Sequence, residues 1–155
     1  MKKKILIILD NIRSAYNVGA IFRTADSLGK VCLIYVCGIS PTPENIKVLK
    51  TSLGAENSVF WTYFATLDKA LNQARGKGYH LYILEQTNKA VKYNKIKFPS
   101  KCAIVVGNEI DGVNLIKTRN ILSIEIPMYG TKKSLNVEVA TAILIYQIYN
   151  SWEIT

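Results

Sequence analysis

Apolar residues follow two alternating rhythms along this chain. Apolar runs at residues 5–9, 31–36 and 102–106 predict strands covered on both faces, since a half-exposed strand alternates with polar residues, and residues 59–64 and 79–84 predict two further strands, the first short and aromatic. Between them, apolar positions recur every three or four residues, the spacing of one helix face. Val18, Ile21, Phe22, Ala25 and Leu28 form such a stripe, with Asn17 as N-cap and Gly29 as stop, and Arg23 projects away from it. Residues 44–53 predict a helix ending at Gly54, and Thr66 caps another that carries Leu67, Ala70, Leu71 and Ala74 on one face. Residues 87–101, polar and lysine-rich, predict a surface loop with little regular structure, and a short helix is expected around Leu115.

The final stretch combines both rhythms. Ile124 and Ile126 make a short strand that stops at Pro127, which cannot continue a central ladder. A turn of Gly130, Thr131, Lys132 and Lys133 follows, and Asn136 caps a helix over residues 137–149 in which nearly every position is apolar. Glu138 in its first turn complements the helix dipole. A helix apolar on all sides must be buried within its subunit, against a second one, or both. Strands alternate with helices throughout, so the expected architecture is a single α/β domain over residues 1–155, a mostly parallel sheet with helices on both faces.

Composition adds a partner to this picture. At 155 residues and 17.4 kDa, with 49% hydrophobic and 20% charged residues, the chain has the balance of a soluble globular domain with one core. No apolar run reaches the ~18 residues of a membrane span. The start, MKKKILIILD, has the flavour of a signal peptide, but Asp10 ends its apolar segment early and it reads as a first strand. Lys and Arg number 20 against 11 Asp and Glu, a net charge of +9, which favours a polyanionic partner, most often nucleic acid. Cys32, Cys37 and Cys102 sit in apolar runs without a CxxC pair, which predicts reduced, buried thiols and a cytoplasmic protein.

Several chemistries lose their support. No GxGxxG follows the first strand, and neither a GxxxxGK[ST] loop nor a GxSxG elbow is present. His80, the only histidine, has no obvious Ser or Cys partner, and Glu109 with Asp111 lacks further ligands at metal-binding spacing, so no metal is expected.

Three segments gain meaning from their order: Asn17–Val18–Gly19–Ala20–Ile21–Phe22–Arg23–Thr24–Ala25, then Val106–Gly107–Asn108–Glu109–Ile110–Asp111–Gly112, then Ile126–Pro127–Met128 through Ser134–Leu135–Asn136–Val137. Together they resemble the three motifs of the SpoU (TrmH-type) family of RNA 2′-O-ribose methyltransferases in the SPOUT superfamily, from about Asp10 to the C-terminus. The resemblance implies an α/β fold whose C-terminal part is threaded into a deep trefoil knot, and a homodimer. It implies S-adenosylmethionine as cofactor, released as S-adenosylhomocysteine, and tRNA or rRNA as substrate. The cofactor positions it implies are Gly107, Asn108, Glu109, Ile126, Met128, Leu135 and Asn136. Arg23 is the implied catalytic residue, with Asn17 and Ser134 supporting it. Many relatives read SLNVS where this chain has Glu138 after Val137, and no extra RNA-binding domain is expected.

The residues present suit that chemistry. A sulfonium methyl is already electrophilic, so transfer needs an aligned and partly deprotonated oxygen rather than a metal. Arg23 is a poor base, with guanidinium pKa values of roughly 12.5–13.8. Its fitting role is to grip a phosphate and the ribose and to stabilise the alkoxide as it forms. Whether Arg23 or an RNA phosphate takes the proton stays open. Arg13, Lys132, Lys133 and the basic loop supply sequence-independent phosphate contacts. Two rival readings stand beside this one: a non-catalytic RNA-binding module of SpoU-like fold, and a small flavodoxin-like regulatory domain without RNA.

Overall fold

The computed structural model describes residues 2–114, 117–118 and 120–153. Among the described residues seven strands form one sheet: β1 (Lys4–Asp10), β2 (Cys32–Cys37), β3 (Phe60–Phe64), β4 (His80–Leu84), β5 (Val91–Lys92), β6 (Lys101–Val106) and β7 (Leu122–Glu125). Their order is β3-β2-β1-β6-β4-β7-β5, and every paired neighbour runs parallel. The strands that read as unbroken apolar runs are the central ones. Ile5, Ile7, Ile8 and Leu9 of β1 are fully buried, as are Cys102, Ala103, Ile104 and Val105 of β6.

Among the described residues four α-helices cover the two faces: α1 (Ala15–Ser27), α2 (Ile46–Ser52), α3 (Leu67–Gly76) and α4 (Val137–Glu153). Alternate residues of β1 separate the two cores. Ile5, Ile7 and Leu9 pack with Phe22 of α1, Val48 of α2 and Ile145 of α4. Leu6 and Ile8 pack with Ala70, Leu71 and Ala74 of α3 on the other face. α1 and α2 cross very closely at Gly19, where an added Cβ would run into the Val48 carbonyl and the Thr51 hydroxyl. The sheet and its covering helices are as expected.

Three expectations need correction. The N-cap of α1 is Ser14, whose hydroxyl accepts from the Asn17 N–H at 3.2 Å, so Asn17 lies inside the first turn with its side chain free for other work. Residues 87–101 are more than a loop, because β5 pairs with β7 and a 3₁₀ turn at Tyr93–Lys95 follows it. Phe98 is buried there against Tyr82, with ring centroids 5.5 Å apart, and its carbonyl accepts from the Trp152 indole at 3.1 Å. Tyr93 and Ile96 pack against the same core, so the apolar residues between the lysines tie that stretch down. The strand expected through Ile126 ends at Glu125. The helix expected around Leu115 lies outside the described residues.

Candidate active site

The chain runs outward from β1 to β2 and β3, then returns to the far side, so the order reverses between β1 and β6. In open parallel sheets, ligands bind beyond the carboxyl ends of strands near such a reversal. Here the carboxyl ends of β4, β6 and β7 open into a cleft of about 530 Å³, a size ordinary for small-molecule sites. Gly107, Asn108, Glu109, Ile126, Met128, Leu135 and Asn136 all line it, and Ser134 does as well. Residues spread over thirty positions are thus gathered on one wall by two consecutive strand ends and the turn leading into α4. The carboxyl end of β4 adds Glu85 and Gln86, which the motifs did not include. Their only signal in the sequence is their place just after an apolar run.

The turn after β6 is organised by Asn108, a buried side chain with every polar atom engaged. Its Nδ2 donates to the Asn11 carbonyl at 2.9 Å, and its Oδ1 accepts from the N–H groups of Ile110 at 2.8 Å and Asp111 at 3.1 Å. The Gly112 N–H returns to the Asn108 carbonyl at 2.9 Å. Gly107 is required by that closure, since a Cβ there would meet the backbone of Gly112 and Val113 far inside van der Waals contact. Glu85 braces the turn from outside, accepting from the Val113 N–H at 3.0 Å.

Glu109 ties this turn to the start of α1. Its carboxylate accepts from the N–H groups of Arg13 at 3.0 Å and Ser14 at 3.1 Å, and from Asn17 Nδ2 at 3.1 Å. Desolvation pushes its pKa up, but the hydrogen bonds from Arg13, its own backbone, Asn17 and Ser14 outweigh it, so the group sits below the usual carboxylate range. Asn136 Nδ2 then donates to Asn17 Oδ1 at 3.3 Å, while Asn136 Oδ1 caps α4 by accepting from the Glu138 N–H at 2.9 Å. A continuous path Asn136–Asn17–Glu109 therefore joins all three sequence motifs.

Arg23 stands apart. It is exposed on α1 and lines a second, open depression with Thr24, Ser27, Lys50, Thr51, Glu138 and Tyr146, outside the cleft. Arg13, Lys132 and Lys133 are exposed, Arg13 just before α1 and the lysines in the 126–136 turn at the cleft's edge. Glu138 makes no ion pair with Arg23; its carboxylate accepts from the Thr24 hydroxyl at 3.1 Å. No group of three or more potential metal-ligating side chains occurs among the described residues, and no helix among them is long and apolar enough to cross a membrane.

Comparison with known proteins fits this geometry. An uncharacterised tRNA/rRNA methyltransferase of Borreliella burgdorferi is 35% identical over 145 residues, covering 92% of this chain and 62% of that protein. The tRNA (guanosine(18)-2′-O)-methyltransferase of Aquifex aeolicus is 28% identical over 94% of this chain and 69% of its own length. The crystal structure of the A. aeolicus TrmH/SpoU tRNA modifying enzyme superposes with a TM-score of 0.85 at 27% identity, covering 99% of this chain and 77% of that one. An AdoMet-bound rRNA methyltransferase from Sinorhizobium meliloti shares the fold, with a TM-score of 0.88 at 22% identity over 97% of this chain and 57% of that one. The chain thus spans roughly three-fifths of several of the proteins it matches. The model of the SpoU rRNA Methylase family matches residues 4–146, taking in the path that joins the three motifs, and the chain belongs to that family.

Proposed function

We propose that this chain transfers a methyl group from S-adenosylmethionine to a ribose 2′-hydroxyl of tRNA or rRNA. The observation that carries the reading is the convergence of three distant motifs through Asn136, Asn17 and Glu109 beside one cleft. The cleft suits the cofactor. Its volume is that of a small-molecule site, and Ile126, Met128, Leu135 and Val137 offer apolar surface for a flat ring. Gly107, Asn108 and Glu109 present backbone groups beside the cleft that a polar ligand can use. When bound, the cofactor supplies an electrophilic methyl.

The protein's own residues then have to place the acceptor. Asn17 and Asn136 fix the relation of α1 to the cleft, and Ser134 stands exposed on its rim. Arg23, with a planar guanidinium held by no ion pair among the described residues, suits a bidentate hold on a phosphate beside the reacting ribose. That hold would stabilise the negative charge that develops on the 2′-oxygen as its proton leaves to an RNA phosphate or to Arg23, a charge spent once the oxygen takes the methyl and the sulfur keeps the electron pair of the broken S–CH₃ bond. Arg13, Lys132 and Lys133 supply further phosphate contacts around the cleft.

Because Arg23 faces a depression outside the cleft of its own subunit, the complete site is best built from two copies. We read the protein as a homodimer in which Arg23 of one copy serves the cleft of the other. The C-terminal segment is read as threaded into a trefoil knot, supported by the chain's return from β7 past the turn after β6 into α4. The cytoplasm is the compartment that keeps Cys32, Cys37 and Cys102 as the buried free thiols they are.

Single-turnover transfer of radiolabelled methyl to RNA tests the reading. Arg23→Ala should keep the fold and cofactor affinity while lowering the rate by on the order of 10²–10⁴. Arg23→Lys should fail comparably, since a point charge cannot reproduce a bidentate grip. A rate within about threefold of wild type in Arg23→Ala would remove Arg23 from the mechanism, and cofactor binding without any transfer would leave a non-catalytic RNA-binding module.

A further inference from the structure

The depression around Arg23 contains a second cation that no motif includes. Lys50 lies in the last turn of α2, and the Gly19 crossing presses that helix against α1, bringing Lys50 and Thr51 to the same depression as Arg23. The other polar side chains there are engaged in hydrogen bonds. The Thr24 hydroxyl donates to Glu138 at 3.1 Å, and the Thr51 hydroxyl donates to the Tyr16 carbonyl at 2.9 Å. Ser27 Oγ donates to the Thr24 carbonyl at 2.6 Å, which leaves Tyr146 as donor in the 2.9 Å Ser27–Tyr146 pair. Arg23 and Lys50 are both exposed, and among the described residues neither has an ion-pair partner.

Two free cations facing one engaged carboxylate leave the depression with a net positive charge. We propose that Lys50 is a second phosphate-gripping residue, holding the RNA backbone beside Arg23 so that the acceptor strand crosses from this depression toward the cleft. The inference rests on the proposed RNA substrate. It assigns Lys50 a positioning role, and it gives Glu138 an opposing one, a negative charge that limits how tightly the strand is held. The rival account of Lys50 is local: a lysine in the last helical turn complements the helix dipole. That role involves no RNA.

Salt dependence separates the two. Each phosphate contact contributes about 0.7–0.9 to the slope of log affinity against log salt. With total tRNA, and separately total rRNA, as probes, Lys50→Ala should weaken binding and make the slope shallower by about that amount. Lys50→Arg should restore the slope, and Glu138→Gln should tighten binding. S-adenosylmethionine affinity should stay at the wild-type value in all three variants. An unchanged slope in Lys50→Ala, with or without a change in thermal midpoint, overturns the proposal, as does wild-type protein without salt-dependent affinity for either RNA. The parent reading fails separately: RNA bound with the expected Lys50 slope but never methylated would leave the grip standing and remove the catalysis.

Discussion

Single atoms decide much of this site, and Gly107 is the sharpest case. A glycine at a turn that lines the cleft invites the idea that its missing side chain leaves room for a ligand. The structure gives a different reason, because an added Cβ collides with the backbone of Gly112 and Val113 within the turn itself. Gly107→Ala should therefore cost about 1–3 kcal/mol of stability through overpacking, seen in the urea midpoint, and cofactor affinity should fall with it because the turn opens. A normal midpoint combined with normal cofactor binding would refute this. Two carboxylates carry opposite pH signatures. Asp10, nearly inaccessible at 4% exposure, is raised by burial, which outweighs the Asn114 N–H, nearby Lys117 and the Asn11 side chain, with Asp68 adding to the rise. A raised folded pKa means stability present below the unfolded pKa and lost as pH rises through the folded one; for Glu109, lowered, stability is present above the unfolded pKa and lost as pH falls through the folded one. In urea midpoints followed across the carboxylate range, Asp10→Asn should lessen the loss on raising pH, and Glu109→Gln should lessen the loss on acidification.

Elements were legible where pattern and packing agree. The apolar runs of β1, β2 and β6 announced a parallel sheet because both of their faces meet helices, and Thr66 announced α3 because its hydroxyl does accept from the Lys69 N–H. The start of α1 was misread for a physical reason: Ser14 and Asn17 are both good capping residues, and only the tertiary demand of Glu109 and Asn136 on Asn17 decides between them. β5 was hidden because two residues carry no periodicity. The closeness of α1 to α2 was equally hidden, since Gly19 on a helix looks like a weak spot until Val48 and Thr51 are placed against it. Gly19→Ala should push the helices apart and cost about 1–3 kcal/mol, measured by denaturant midpoint. Should the midpoint hold, the crossing would be looser than described. At the head of α4, Asn136→Ala removes both the cap and the link to Asn17, and should cost about 0.5–2 kcal/mol as a cap alone.

Assembly is the scale at which the proposed roles of the cleft and Arg23 would meet. The buried side of α4 is Thr141, Leu144, Ile145, Ile148 and Trp152, which accounts for only part of its apolar surface. Val139 and Tyr146 are exposed, and with the half-buried Ile143 and Tyr149 they form a second stripe at helical spacing. In the proposed homodimer, a second copy paired about a twofold axis along this stripe would cover it and would bring the neighbour's α1 toward the cleft. The first expectation is a dimer mass in light scattering that Tyr146→Glu shifts toward monomer, since a charge placed in a self-complementary contact meets its own copy. The second is complementation. Arg23→Ala leaves the cleft intact, whereas Ala140→Trp fills it, because Ala140 lines its wall. Each variant alone should be nearly inactive in methyl transfer. A heterodimer of the two pairs an intact Arg23 with an intact cleft in trans and should recover up to half the wild-type rate per dimer, one of two sites being whole. If each subunit were self-sufficient, mixing would recover nothing, and Arg23 would have to reach the cleft of its own chain by a rearrangement of α1 that the Asn17–Glu109 bond opposes.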